Sequence, residues 1–185
     1  MIKIMSLFIL NIFGWNLGPS LPKNIKKAIV IVAPHTSNWD FILGLLYKWS
    51  TKITISYLIK EEWLNSPLGP WFKSTGAIGI KRSDPKNTTD QLSQTIKNKK
   101  NVILAITPEG TRSKVDRWKT GFYRIAKECN IPIYCAYLDY KKKEMGLLDL
   151  IITPSKNQKD DFQKIQTAYK NITPQNPKNY NPIIY

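Results

Sequence analysis

Val102-Ile103-Leu104-Ala105-Ile106 is apolar at every position. A strand with one face in water alternates polar and apolar residues. An uninterrupted run needs cover on both faces, which a parallel strand between two layers of helices has. Ile29-Val30-Ile31-Val32-Ala33 is a second such run, β-branched and short, and it reads as a buried strand. After it, Phe41, Ile42, Leu45, Leu46 and Trp49 recur at helical spacing. Residues 85–100 are polar except for Leu92 and Ile96 at i, i+4, which predicts a surface helix before the 102–106 strand. Further strands are expected at 53–59, 76–80, 131–137 and 149–153. Helices are expected to end near Cys129 and to cover 158–171, where Phe162, Ile165 and Tyr169 share a face. Strands alternating with helices predict an α/β fold: a single domain with a mixed, mostly parallel central sheet flanked by helices.

At 185 residues the chain is one domain, long enough to bury a real core. It carries 28 Lys and Arg against 13 Asp and Glu, a net charge of +15. That balance favours anionic partners such as an anionic membrane surface, a phosphorylated substrate or nucleic acid. Lysine is also the common polar residue of a chain rich in Lys, Asn and Ile, and no nucleic-acid-binding motif is present. Cys129 and Cys135 have no metal-ligand spacing and form no disulfide scaffold. With a single histidine, a transition-metal site is not expected, and the chain reads as reduced and intracellular.

Residues 2–13 are almost entirely apolar but fall short of the roughly 20 residues a membrane-spanning helix needs. No small-residue cleavage site follows, and Trp15 and Pro19 break the pattern. Two readings stay open for residues 1–20. One is a helix lying in the membrane interface with Trp15 near the headgroups, and the other is an ordinary helix packed on the core. Residues 61–72 hold Trp63, Trp71 and Phe72 among Pro and Gly, and read as the lining of an acyl groove or as a packed connection. The main globular unit is expected at 21–173. The Pro- and Asn-rich end, 174–185, is expected to be loose.

The chemistry is expected where the first strand ends. His35, the only histidine, sits in the turn leaving that strand, and Asp40 falls in the first turn of the following helix. A carboxylate there reaches back to the near imidazole nitrogen, fixes the tautomer and leaves the far nitrogen free to take a proton. Without a Gly-x-Ser-x-Gly element, the substrate's own hydroxyl is the nucleophile such a base would serve. Ser37-x-x-Asp40 equally fits a helix capping box.

Two further stretches look suited to an anion. Gly76-Ala77-Ile78-Gly79-Ile80-Lys81-Arg82 reads as a strand ending in two cations, at the end where open α/β sheets bind ligands. Thr107-Pro108-Glu109-Gly110-Thr111-Arg112-Ser113 leaves the all-apolar strand. Gly110 permits a tight turn, and Arg112 can grip a phosphate through two parallel N–H bonds. Glu109 would repel an anion, so it is expected to hold an arginine or to accept a bond from a substrate hydroxyl. The plain alternative for this stretch is a surface turn with a cap at Thr111 or Ser113.

Four blocks in this order resemble the lysophosphatidic acid and glycerol-3-phosphate acyltransferase superfamily. They are His35-Thr36-Ser37-Asn38-Trp39-Asp40, matching its His-x4-Asp; Gly76–Arg82; Pro108-Glu109-Gly110-Thr111-Arg112-Ser113; and Ile131-Pro132-Ile133. Together they span residues 35–133. Pro34, Gly79 and Thr107 depart from the usual residues without removing a group the chemistry needs. The resemblance implies a glycerol-3-phosphate acyltransferase-like fold. It makes His35 and Asp40 catalytic, and makes Arg82, Glu109, Gly110, Thr111 and Arg112 substrate-binding. It implies an acyl thioester donor, either acyl-CoA or an acyl carrier protein, and a lysophospholipid acceptor, first of all 1-acylglycerol-3-phosphate. It implies no metal or resident cofactor, no nucleic acid, and a peripheral position on the cytoplasmic face of a membrane. Other acceptors, such as a lyso-ornithine lipid or a glycolipid, fit the same residues. Other classes are an acyl thioesterase and a non-enzymatic basic lipid- or nucleic-acid-binding protein.

Overall fold

The computed structural model describes residues 1–81 and 85–184, and the side chains of 85 and 86 lie outside that description. The chain opens with helix α1 (Ile2–Ile12) and a short strand β1 (Asn16–Leu17). Strand β2 (Lys27–Val32) leads through the loop at 33–38 into helix α2 (Trp39–Thr51). Then come strand β3 (Ser56–Lys60), short helices α3 (Glu61–Leu64) and α4 (Gly69–Ser74), and strand β4 (Ala77–Ile80). Helix α5 (Pro85–Asn98) precedes strand β5 (Val102–Ile106), and helix α6 (Gly121–Cys129) precedes strand β6 (Ile133–Asp139). Strand β7 (Glu144–Ile152) and helix α7 (Gln158–Tyr169) close the fold.

Among the described residues the strands form one seven-stranded sheet in the order β1-β7-β6-β2-β5-β3-β4. Every neighbouring pair is parallel except β6 and β7, a hairpin turned at Lys141–Lys143. The expected mixed, mostly parallel sheet is therefore present. The all-apolar runs have the cause inferred for them. Ile29, Ile31 and Ala33 face a core shared with Leu104, Phe122, Ile133, Phe162 and Ile165, under α5, α6 and α7. Ala28 and Val30 face the other way, against Leu21, Tyr134 and Leu147. Each of the buried Ile, Leu, Val and Phe side chains contributes roughly 1.5–3 kcal/mol by leaving water. β7 begins at Glu144, ahead of the expected strand, because the hairpin pairs it with β6 from Asp139↔Glu144 onward.

Helix α1 has one face packed on the core and one exposed apolar face. Leu10 is buried against Leu43 and Leu46 of α2 and Met145 of β7. Ile2, Ile4, Met5, Leu7, Phe8 and Ile12 are exposed, and Phe8 keeps 63% of its surface in water. No described helix is long and apolar enough to cross a membrane, and this exposed apolar face suits peripheral, interfacial association. Trp15 packs edge-on against Tyr140, with ring centroids 5.0 Å apart, and is half-buried beside α2. Residues 61–72 are packed yet apolar on the outside. Phe72 sits among Phe41, Trp63 and Trp71, while about half of Trp63 stays exposed.

The C-terminal stretch is a correction, because 174–184 is held in place instead of loose. Trp118 donates its indole N–H to the Asn181 carbonyl at 2.7 Å, and the Asn181 amide donates to Val115 and Asp116. Ile184 is fully buried. Composition misjudged this segment because side-chain bonds to distant backbone, not its own apolar content, secure it.

Candidate active site

Loops leaving the C-terminal ends of β2, β5 and β6 converge, and the parallel register of β2 with both neighbours sets them side by side. After β2, the His35 ring turns its Nδ1 toward Asp40 Oδ2 at 3.1 Å. The same oxygen accepts the backbone N–H groups of Thr36 at 2.8 Å and Ser37 at 2.9 Å. The other oxygen, Oδ1, accepts the hydroxyl of Tyr140 at 2.6 Å. Asp40 is 5% exposed. Burial alone would raise its carboxyl, but the bonds from His35, Tyr140 and Ser37 outweigh that and hold it below the ordinary carboxylate range. The carboxylate is thus ionised and saturated, and His35 Nε2 is the ring nitrogen left for other work.

The capping reading is met in part by the same atoms. Ser37 Oγ accepts the Trp39 N–H at 3.1 Å while Asp40 accepts the Ser37 N–H. Asp40 therefore ties down the loop that enters α2 and orients His35 at once.

Glu109, after β5, lies beneath the loop. Its two oxygens accept the His35 backbone N–H at 3.0 and 3.1 Å. Its contact within the described residues is thus with the backbone of His35 itself. Burial lifts its pKa to about 7, with the His35 N–H working against the rise and the charge of Asp40 adding to it. A carboxyl raised from 4.5 in the fold favours folding at pH values below 4.5. That stability is lost as the pH rises through about 7, about 3 kcal/mol in all. Glu109→Gln keeps an acceptor for His35 and removes the buried charge. It is expected to raise the melting temperature at pH 8 and leave it nearly unchanged at pH 5. Equal shifts at both pH values would contradict this account of Glu109.

Gly110 takes a positive φ of 69°, and a Cβ there would press on the Lys119 side chain at 3.1 Å. The turn thus needs glycine and aims the following residues outward. Thr111 Oγ1 accepts the Ser113 N–H at 3.3 Å, as a local cap would. Arg112 is exposed on the same loop. The site therefore joins His35, Asp40 and Glu109 in one bonded cluster and leaves Thr111 and Arg112 on its rim. Arg82 lies outside the described residues.

Two participants escaped sequence reasoning. Tyr140 reaches Asp40 from 100 positions away. Asn176 donates its backbone N–H to Thr36 Oγ1 at 3.1 Å and its amide to the Thr36 carbonyl at 2.9 Å, strapping the C-terminal segment to the His35 loop. No local pattern marks either residue. Among the described residues, no group of three His, Cys, Asp or Glu could hold a metal ion.

Residues 19–139 match the model of an acyltransferase family. No curated protein sequence matches the chain. Among solved structures, the crystal structure of the 1-acyl-sn-glycerophosphate (LPA) acyltransferase PlsC from Thermotoga maritima is similar in fold. The identity is 16% over 91% of this chain and 77% of that one, with a TM-score of 0.63.

Proposed function

Because the chain belongs to the acyltransferase family, we propose that it moves a fatty acyl group from an acyl thioester to the hydroxyl of a lysophospholipid. The donor is acyl-CoA or an acyl carrier protein, and 1-acylglycerol-3-phosphate is the acceptor favoured, with phosphatidic acid as product. The observation that carries this reading is the 3.1 Å contact between His35 Nδ1 and an ionised Asp40. It leaves Nε2 as a base at the C-terminal ends of the parallel strands.

His35 Nε2 takes the proton of the acceptor hydroxyl as that oxygen attacks the thioester carbonyl. Asp40 offsets the charge that forms on the ring. The tetrahedral intermediate then collapses, the C–S bond breaks, and the imidazolium returns its proton to the leaving thiolate. General-base help of this kind supplies about 10²–10⁴ in rate, and fixed positioning supplies much of the rest. Glu109 holds the backbone of His35, which is a positioning role. Arg112, together with Arg82 and the turn at Gly110 and Thr111, is the assigned grip for an acceptor phosphate. The chain's own groups account for each proton moved, so the reading calls for no metal or resident cofactor.

The acyl chain of a lysophospholipid acceptor resides in a bilayer, and α1 is assigned to its surface as the interfacial part of residues 1–20. The acyltransferase unit is assigned to 21–173, with the packed end strapped onto it. Phe8→Glu on the outer face of α1 is expected to weaken binding to anionic liposomes roughly tenfold or more, from the loss of one buried aromatic, with the melting temperature unchanged. Liposome binding equal to wild type would remove α1 from the membrane surface.

The acceptor is tested by following thiol release from an acyl thioester in detergent micelles with a panel of acceptors. Release strictly dependent on lysophosphatidic acid supports the reading. Release that prefers a lysolipid without phosphate would reassign the acceptor. Release without any acceptor would make the protein a thioesterase.

A further inference from the structure

Asp40 Oδ2 is engaged by three N–H groups on its own loop, and Oδ1 is held from outside that loop. The group that holds it comes from the end of β6, the strand beside β2. Tyr140 follows the last residue of β6, and its hydroxyl donates to Oδ1 at 2.6 Å, a length typical of a hydrogen bond to an anion. The ring has little freedom of its own. Its edge-on contact with Trp15 fixes one side, and its backbone N–H donates to the Thr173 carbonyl at 2.9 Å.

We infer that Tyr140 is a positioning residue for the proposed acyl transfer: its hydroxyl locks the Asp40 carboxylate in the plane that serves His35. The inference rests on the functional reading above only for its kinetic readout. The hydroxyl also takes up part of the carboxylate's charge, so it sets how strongly the His35–Asp40 pair holds a proton. Among the described residues, the other ionisable group against this pair is Glu109, beneath the His35 backbone, with the Tyr180 hydroxyl close enough to feel its charge. Neither touches Oδ1, so the effect of Tyr140 is separable from theirs.

Tyr140→Phe keeps the ring against Trp15 and removes one oxygen. With the donor gone, the pair binds a proton more tightly. The acid limb of the pH–activity profile is therefore expected to move to higher pH. kcat is expected to fall about tenfold, the equivalent of one charge-assisted hydrogen bond, with KM for the donor little changed. His35 is the only histidine of the chain, so ¹⁵N imidazole spectra of the full-length protein report the pair without ambiguity. Wild type is expected to show the proton on Nδ1. The variant is expected to keep that tautomer, because Oδ2 still faces Nδ1, and to move its titration midpoint to higher pH, in a protein whose melting temperature stays within a few degrees. An imidazole titration identical to wild type would overturn the inference, as would a fall in kcat with no change in either pH profile. If wild type transfers no acyl group to any acceptor, the functional reading fails, and the imidazole spectra alone still decide the role of Tyr140.

Discussion

His35→Ala is expected to lower acyl transfer by about 10²–10⁴, the contribution of a positioned general base, while leaving the fold intact. The imidazole is half-buried and its one side-chain partner is Asp40, so its loss opens no large core cavity. Asp40 keeps its bonds from Thr36, Ser37 and Tyr140 in the variant. Binding of donor and acceptor is expected to survive, so the loss should appear in kcat and not in KM. Activity within threefold of wild type, in a folded His35→Ala protein, would remove His35 from the chemistry.

The second large effect belongs to Asp40, and here stability and activity fall together. Asp40→Ala strands the N–H of the buried Thr36 and the hydroxyl of Tyr140, besides releasing the His35 ring. Leaving buried donors unmet costs roughly 1–3 kcal/mol each, so a loss of about 2–4 kcal/mol is expected in denaturant unfolding. Much of the general-base contribution should go with it. Asp40→Asn separates the two roles. The three N–H donors on Oδ2 select the amide oxygen for that place, and the amide NH₂ then faces Tyr140, whose hydroxyl can accept as well as donate. The asparagine variant is expected to keep most of the stability and the His35 tautomer while losing the negative charge. Its activity should lie between wild type and Asp40→Ala. Equal activity of the two variants would show that the charge, and not the orientation, carries the contribution. The wild-type carboxylate also has a pH signature opposite to that of Glu109. Its pKa is lowered, so the stability it contributes is present above about 3.8 and is lost as the pH falls through its folded value.

What the sequence made legible follows from the range of the forces involved. Burial on both faces writes itself into consecutive residues, so β2 and β5 could be read from Ile29–Ala33 and Val102–Ile106 as buried strands of one mostly parallel sheet. The contact between His35 and Asp40 spans one turn and the start of one helix, and it too was legible from spacing. The partners of that pair were not. Tyr140 and Asn176 arrive through the order of strands and through the path of the C-terminal segment, and neither leaves a periodic mark. The same holds for Glu109. Its chemistry suggested an arginine or a substrate hydroxyl, and no local pattern shows that the register of β5 beside β2 also delivers it to the backbone of His35. Residues 174–184 were misjudged for a related reason. Few of their side chains are apolar, yet Asn181 and Ile184 anchor them to the Trp118 region and to α7. Arg82 lies outside the described residues, so its part in the acceptor grip stands on the resemblance alone.

The most direct test of acyl transfer is a count of products. Purified protein in mixed micelles would be given an acyl thioester and lysophosphatidic acid, and released thiol and newly formed diacyl ester would be measured in the same sample. One ester per thiol is expected, with both lost in His35→Ala. Thiol released without matching ester, or both formed undiminished by His35→Ala, would contradict an acyl transfer driven by the His35–Asp40 pair.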